Sequence, residues 1–286
     1  SKSAGNHSVR FGGEFRHFSN DYLNPTSSLG NFTFNAAFTQ FDAQQASSTA
    51  GNSVASLLLG YPASGNSPYT PHSGYGNNYV GFFVQDDWRL TSKLTLNAGL
   101  RWDYESPITE ADMQQNRGFD PSSPNPFVVP GLQLKGGLLF VDDANPRPFT
   151  QDFNNIQPRV GATYQINERT VVRGGYGLGY LPTFDTGLAN GFSLATTYVA
   201  SVDGGITPSG KLSNPYPAGI VPPVGNSQGL ATLVGNGYTY HNEGRTIPYV
   251  HQFSIGIQRE LPWQVVVDAS YVGSRTRGYP VSKGIN

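Results

Sequence analysis

The sequence predicts an all-β protein: an antiparallel, up-and-down transmembrane β-barrel meander, part of a larger barrel, with long extracellular loops. Three observations carry this. Several stretches alternate strictly between apolar and polar residues, the period of a strand with two different faces. Short breaks between these stretches take turns with long irregular segments. Charged residues are only 13% of the 286, against about a quarter in ordinary domains, while Gly (35), Tyr (16) and Phe (17) are abundant.

The clearest stretch is Tyr79 to Glu105, YVGFFVQDDWRLTSKLTLNAGLRWDYE. Val80, Phe82, Val84, Trp88 and Leu90 share one side of its first half, and Gly81, Phe83, Gln85, Asp87 and Arg89 the other. After a break at Thr91-Ser92, Leu94, Leu96, Ala98, Leu100, Trp102 and Tyr104 oppose Thr95, Asn97, Gly99, Arg101, Asp103 and Glu105. Each half exceeds the roughly 9–11 residues that a tilted strand needs to cross a bilayer.

The remaining elements follow in order. His7 to Phe18 is a strand with Val9, Phe11 and Phe15 on one side. Segment 19–78 is an external loop in which Asn31 to Thr39 reads as a short additional strand, Ser56 to Leu59 as a helical turn, and Gly60 to Gly76 as Pro/Gly/Ser-rich loop. Strands are expected at 79–90 and 93–105, followed by a loop at 106–156 dense in Pro, Asp and Asn. Strands 157–166 and 170–180 form the next hairpin, loop 181–248 follows, and strands 249–260 and 264–274 close the series around Leu261-Pro262-Trp263.

The short breaks at 91–92, 167–168 and 261–263 alternate with the long segments. Outer-membrane barrels have short periplasmic turns and long extracellular loops, so this asymmetry sets the orientation. Seven spanning strands are counted, whereas bacterial single-chain barrels have even numbers. The chain also ends at KGIN without a terminal aromatic strand, so a barrel fragment is expected and the whole chain is read as one barrel region. SKSAGNHSVR has no apolar h-region of a signal peptide, and no apolar run approaches the ~18 residues of a transmembrane helix.

Several segments resemble the Oar-like TonB-dependent outer-membrane transporters, a family with an N-terminal carboxypeptidase-regulatory-like domain. They are the Tyr79–Glu105 stretch, NNIQPRVGATYQINERTVVRGGYGLGY, YVHQFSIGIQRELPWQVVVDASYVGS, LSNPYPAGIVPPVGNSQGL (212–230) and HSVRFGGEFRHF. The resemblance implies a barrel of about 22 strands with a plugged lumen, energised through TonB by parts of a longer protein. It also implies uptake of a scarce nutrient or chelate in the bacterial outer membrane, with lipid and the TonB system as partners. No plug, TonB-box or regulatory-like sequence is recognised in this stretch.

Candidate chemistry is sparse. Asp86-Asp87 with Asp103 and Glu105 is a set of carboxylates that acid–base or Ca²⁺ chemistry could use. In a barrel it reads better as part of a lumen charge ladder, Arg89, Arg101, Asp103, Glu105, Arg159 and Arg173. Asp142-Asp143-Ala144-Asn145 lacks EF-hand spacing and reads as a turn. The glycine-dense run Arg173–Gly179 matches neither phosphate-binding fingerprint. Without cysteine, with five scattered histidines and without a G-x-S-x-G elbow, no metal site, cofactor or enzyme activity is expected.

Trp88, Trp102 and Trp263 fit interfacial girdles. Loop tyrosines Tyr69, Tyr75, Tyr198, Tyr216, Tyr238 and Tyr240 are the candidate ligand contacts, since loops carry recognition. A net charge of −1 gives no reason to expect nucleic acid. Two other readings stay open: an extracellular structural or adhesive β-protein self-associating through open sheet edges, and a soluble carbohydrate-binding sandwich.

Overall fold

The computed structural model describes residues 1–286 except 24–26, 28, 43, 46, 182–186 and 285–286, so parts of the first and third expected loops lie outside the described residues. In chain order the strands are β1 (Lys2–Ala4), β2 (His7–Tyr22), β3 (Asn31–Thr33), β4 (Ser64–Tyr69), β5 (Ser73–Arg89), β6 (Leu94–Glu105) and β7 (Thr109–Glu110). There follow β8 (Asn116–Pro124), β9 (Lys135–Phe140), β10 (Ile156–Asn167), β11 (Thr170–Tyr180), β12 (Leu194–Thr197), β13 (Tyr249–Leu261) and β14 (Val265–Arg277), with one α-helix, α1 (Ser53–Leu59).

One large antiparallel sheet runs β1-β2-β5-β6-β10-β11-β13-β14, and β7 adds to the upper part of β5. Each step joins neighbours in sequence order once the loop strands are set aside, which makes a meander. Its edges are β1 and β14, which do not pair with each other.

Register sorts side chains as the alternation requires. Phe82 lies opposite Trp102, Val84 opposite Leu100, Val160 opposite Ala98, Tyr176 opposite Phe253 and Ile255 opposite Tyr271, all on one face. That face is turned away from the protein: Phe11 is 68% exposed and Ile255 60%. Water would penalise so continuous an apolar face, whereas hydrocarbon accepts it. Trp102 stacks between Phe82 and Tyr104, with ring centroids 6.2 and 6.5 Å away, at the end that leads into the long loops. Trp88 and Trp263 mark the opposite end, where the turns are.

The turns have local causes. Thr91 Oγ1 accepts hydrogen bonds from the N–H groups of Lys93 (3.2 Å) and Leu94 (3.0 Å), closing the first hairpin with its own side chain. The last hairpin turns through Pro262–Gln264, with Trp263 and Gln264 at φ 64° and 61°.

The tightly packed interior is not in the sheet. Every buried apolar side chain among the described residues (Ile108, Leu138, Val141, Phe149 and Tyr198) belongs to the long connections. There β12, β4 and β3 form one small sheet and β8 with β9 another.

Several elements differ from expectation. β2 and β5 are longer than 7–18 and 79–90, because polar residues pair from His17↔Asn78 up to Tyr22↔Ser73 with no apolar face to reveal them. Gly60 to Gly76 is not wholly loop, since it holds β4 and the start of β5. The strand read at Asn31–Thr39 stops at Thr33: Asn35 Oδ1 accepts the Ala37 N–H at 2.9 Å and starts a 3₁₀ turn over Ala37–Thr39. The helical turn at Ser56–Leu59 is the end of α1, which begins at Ser53 under an Asn52 cap that accepts the Val54 and Ala55 N–H groups. Loop 106–156 carries β7, β8 and β9, and the short β1 joins the sheet ahead of the first expected strand.

Candidate functional site: the polar wall beneath the loop layer

Period two places Glu14 and Arg16 of β2, Asn77 and Tyr79 of β5, Arg101, Asp103 and Glu105 of β6, and Gln157 of β10 on the face opposite the apolar one. Their strands are far apart in sequence, and register alone brings them together near the loop end of the wall.

Asp103 is the hub. It accepts the Tyr79 hydroxyl at 2.8 Å, the Arg101 Nε–H at 2.8–3.0 Å and the Gln157 side-chain amide at 2.5 Å. Arg101 also donates to the Tyr79 oxygen (2.5 Å) and lies 3.7 Å from Glu14, which pairs with Arg16 at 2.5 Å. The Arg16 guanidinium sits 4.8 Å above the Tyr79 ring. Glu105 accepts the Asn77 amide at 3.2 Å. Gly81 stands opposite Asp103, and a Cβ there would come within 2.8 Å of the Asp103 carboxylate and 2.9 Å of Arg101 Nη2 and the Tyr79 hydroxyl. A glycine keeps the space in which the network forms.

The expected charge ladder is therefore partly realised. Arg101 pairs with Asp103, and Arg173 donates to Asp268 at 2.6 Å across β11, β13 and β14. Arg89 and Arg159 make no ion pair among the described residues. Arg159 lies opposite Gly99 and Gly177, so no carboxylate is within reach, and Arg89 sits at the turn opposite Thr95. The partners missing from the expected set are Glu14, Arg16 and Arg10, the last donating to Asp87, which also accepts the Asn97 amide at 2.5 Å. Asp86 and Asp87 are not a carboxylate pair. As adjacent strand residues they face opposite ways, and Asp86 meets His7 Nδ1 at 2.6 Å on the apolar side, where His7 stacks on Trp88.

Replacing Asp103 by asparagine is expected to destabilise the wall by roughly 1–3 kcal/mol, because Arg101, Tyr79 and Gln157 would then converge on a group that accepts on one side only. A chemical denaturation midpoint in detergent reads this out. Tyr79→Phe removes a smaller part of the network and should cost about 1 kcal/mol.

Above the wall the loops interlock. Asn125 Nδ2 donates to the carbonyls of both Gly136 and Leu230 at 2.7 Å, tying 106–155 to 187–248. Arg117 Nη1 reaches both Glu243 oxygens at 3.1 Å, and Thr150 N–H donates to the Glu243 carbonyl. β4 pairs with β12, and Leu212 N–H donates to the Gly60 carbonyl, joining the first loop to the third. Glu110, 5% exposed, accepts the N–H groups of Gly74, Asp112 and Gln114.

The expected ligand tyrosines fall within this layer. Tyr198 is 4% exposed, donates to the Gly210 carbonyl at 2.9 Å and packs edge-on against Phe32 and Tyr216. Tyr216 donates to the Thr196 carbonyl at 3.1 Å. In this conformation both are packing residues and present no free hydroxyl. Tyr238 and Tyr240 are half-buried beside Phe119, with centroids 6.3 and 5.1 Å away. Burial pushes the Tyr198 and Tyr238 hydroxyls above the usual phenol range. A depression of about 540 Å³ lies between Phe127, Val224, Gln228, Leu233, Val234 and Asn236. No group of side chains suited to a metal ion occurs among the described residues.

Asp203 is held at about 2 by the Ser201 hydroxyl and the Thr207 N–H. A folded value below the ordinary carboxylate value means that its turn is favoured above pH ~4 and loses that support as pH falls toward about 2. Asp203→Asn should flatten proteolytic sensitivity around 201–207 across that window.

An open antiparallel meander, apolar outside and polar inside, with short turns at one end and interlocked loops at the other, defines part of an outer-membrane β-barrel wall. A family model described as an outer membrane beta barrel domain matches residues 1–286, and the chain belongs to that family. Its place is the bacterial outer membrane. No curated protein matches it. Among solved structures it is similar to the alcaligin outer membrane receptor FauA from Bordetella pertussis, at 13% identity and a TM-score of 0.26. That match covers 77% of this chain and 35% of the other, so the chain spans about a third of that receptor's length.

Proposed function

We propose that this chain is a portion of a TonB-dependent receptor barrel of the Oar-like kind, taking up a scarce nutrient or chelate through a longer protein. The observation that carries this reading is the polar network around Asp103 beneath a loop layer braced by buried side chains. A general pore has use for a wet, open lumen. A receptor needs a shaped external layer that holds a solute and a fixed polar wall below it. The sequence resemblance adds the coupling to TonB through parts of the protein beyond this stretch. In this reading the role is transport and not catalysis, the partners are outer-membrane lipid and the TonB system, and neither nucleic acid nor a cofactor takes part.

The test uses the full-length receptor in its own cell. Growth of a receptor-deletion strain is compared across metal chelates, oligosaccharides and peptides as limiting nutrients, with and without TonB depletion. Loss of growth on one compound, shared by the deletion and the depletion, supports the proposal. Purified full-length protein forming permanently open pores in planar bilayers, or a deletion defect that adds to the effect of TonB depletion, would overturn it.

A further inference from the structure

On the outward face, the upper ends of β13 and β14 carry positive charge that no nearby side chain balances. Register sets Arg275 opposite His251 and Arg277 opposite Tyr249, on the face shared by Phe253, Ile255, Val267 and Tyr271. Ser274 and Thr276 face the lumen instead. Both arginines are exposed, and neither makes an ion pair among the described residues. The outward positions of β11, β13 and β14 hold no carboxylate at all, since Glu260 and Asp268 both point inward.

The height of these charges in the membrane follows from the strand. From Val265 the outward residues of β14 are Val265, Val267, Ala269, Tyr271 and Gly273, all without charge. Arg275 lies about ten residues along, or ~33 Å at ~3.3 Å per residue. A tilt of ~40° makes this ~25 Å of height, the thickness of the apolar band of such barrels. Arg275 therefore stands at the outer boundary of the hydrocarbon, and Arg277 about 5 Å higher on the same geometry.

The same level carries an aromatic belt. The Tyr176 hydroxyl lies 2.8 Å from His251 Nδ1, the Tyr180 and Tyr249 rings are 5.7 Å apart, and Tyr249 meets His251 edge-on at 5.4 Å. Two guanidiniums at a membrane boundary, ringed by aromatics and without a protein counter-charge, require anions from the membrane itself. Guanidinium groups bind phosphate oxygens bidentately, and basic clusters at this level recognise anionic headgroups.

We propose that Arg275 and Arg277, with His251 and Tyr249 beside them, seat the phosphate groups of an anionic glycolipid of the outer leaflet. The proposal rests on membership of the barrel family and does not depend on what the barrel transports. It is tested on the full-length protein in detergent, with native mass spectrometry titrations of diphosphoryl lipid A against the same lipid stripped of its phosphates. The wild type is expected to favour the phosphorylated form. The R275Q/R277Q double variant should lose roughly 30-fold in affinity for it, from about one tenfold step or slightly less per arginine, with the dephosphorylated lipid unaffected.

R275K/R277K should retain most of the binding, and Arg159→Gln, a lumen arginine, should change nothing. Should the double glutamine variant not fold, Arg277→Gln alone is expected to lose about fivefold. A wild type that does not discriminate between the two lipids overturns the proposal. So does an equal loss toward both lipids in the double variant, which would mark the arginines as packing or pairing residues.

Discussion

Ile255→Arg is expected to cost the barrel about 2–4 kcal/mol, whereas Ser254→Arg, one residue earlier on the same strand, should cost little. Ile255 lies at the centre of β13, on the face with Tyr271 and Gly174, and is 60% exposed to what surrounds the protein. A guanidinium placed there at mid-bilayer must either stay in hydrocarbon or drag water and headgroups inward. Ser254 points to the other side, opposite Gly175 and Val272, where neighbours are small and water is available. The comparison cancels strand position, length and backbone, leaving only the face. Denaturant titration of the full-length protein reconstituted in lipid vesicles measures both variants. Equal costs at the two positions would mean that the faces are not distinguished by solvent, and the membrane assignment of this sheet would fall.

The second large effect is expected at Gly137→Ala. Gly137 lies in β9, pressed against the backbone of the third loop: a Cβ would come within 2.6 Å of Leu230 Cα and closer still to the Leu230 carbonyl. Backbone cannot step aside as a flexible side chain can, so the loops must separate locally, at about 1–3 kcal/mol. The neighbouring Leu138 is 1% exposed, and Leu138→Ala should cost a further kind of loss, about 2–5 kcal/mol, by leaving a cavity. Both changes should speed protease cleavage within 106–155 and 187–248 while the strands stay protected. Cleavage that is unchanged in both would show that the loops are not held by this contact.

What the sequence revealed depended on whether an element has two unlike faces. The strands around Phe82, Trp102, Val160 and Ile255 do, and their alternation is plain in one dimension. The upper parts of β2 and β5 are polar on both sides, so pairs such as Asn20↔Tyr75 leave no periodic trace. The small sheet of β3, β4 and β12 is built from Ser, Gly, Asn and Thr drawn from two loops. β8 is interrupted by Pro121 and Pro124 and by register shifts, and it reads as loop composition.

The polar wall was half legible for a related reason. Arg101, Asp103 and Glu105 sit on one recognisable strand, so their shared face can be counted. Glu14, Arg16, Tyr79 and Gln157 join them only through a register set between strands 20 to 90 residues apart, which no local pattern records. Asp86 shows the opposite case. Parity alone groups it with Val84 and Trp88, and counting it strictly would have separated it from Asp87.

The bracing between loops bears on how such a chain can drift over evolutionary time. Surface loops ordinarily accept insertions and substitutions one at a time. Here Asn125 needs the Leu230 carbonyl, Gly137 needs the Leu230 backbone to lie where it does, and β4 needs β12. A length change in one loop displaces its partner in another. Across homologous barrels, insertions in 106–155 and 187–248 should therefore appear together, inherited as paired changes, and recombination that exchanges one loop without the other should yield poorly expressed proteins.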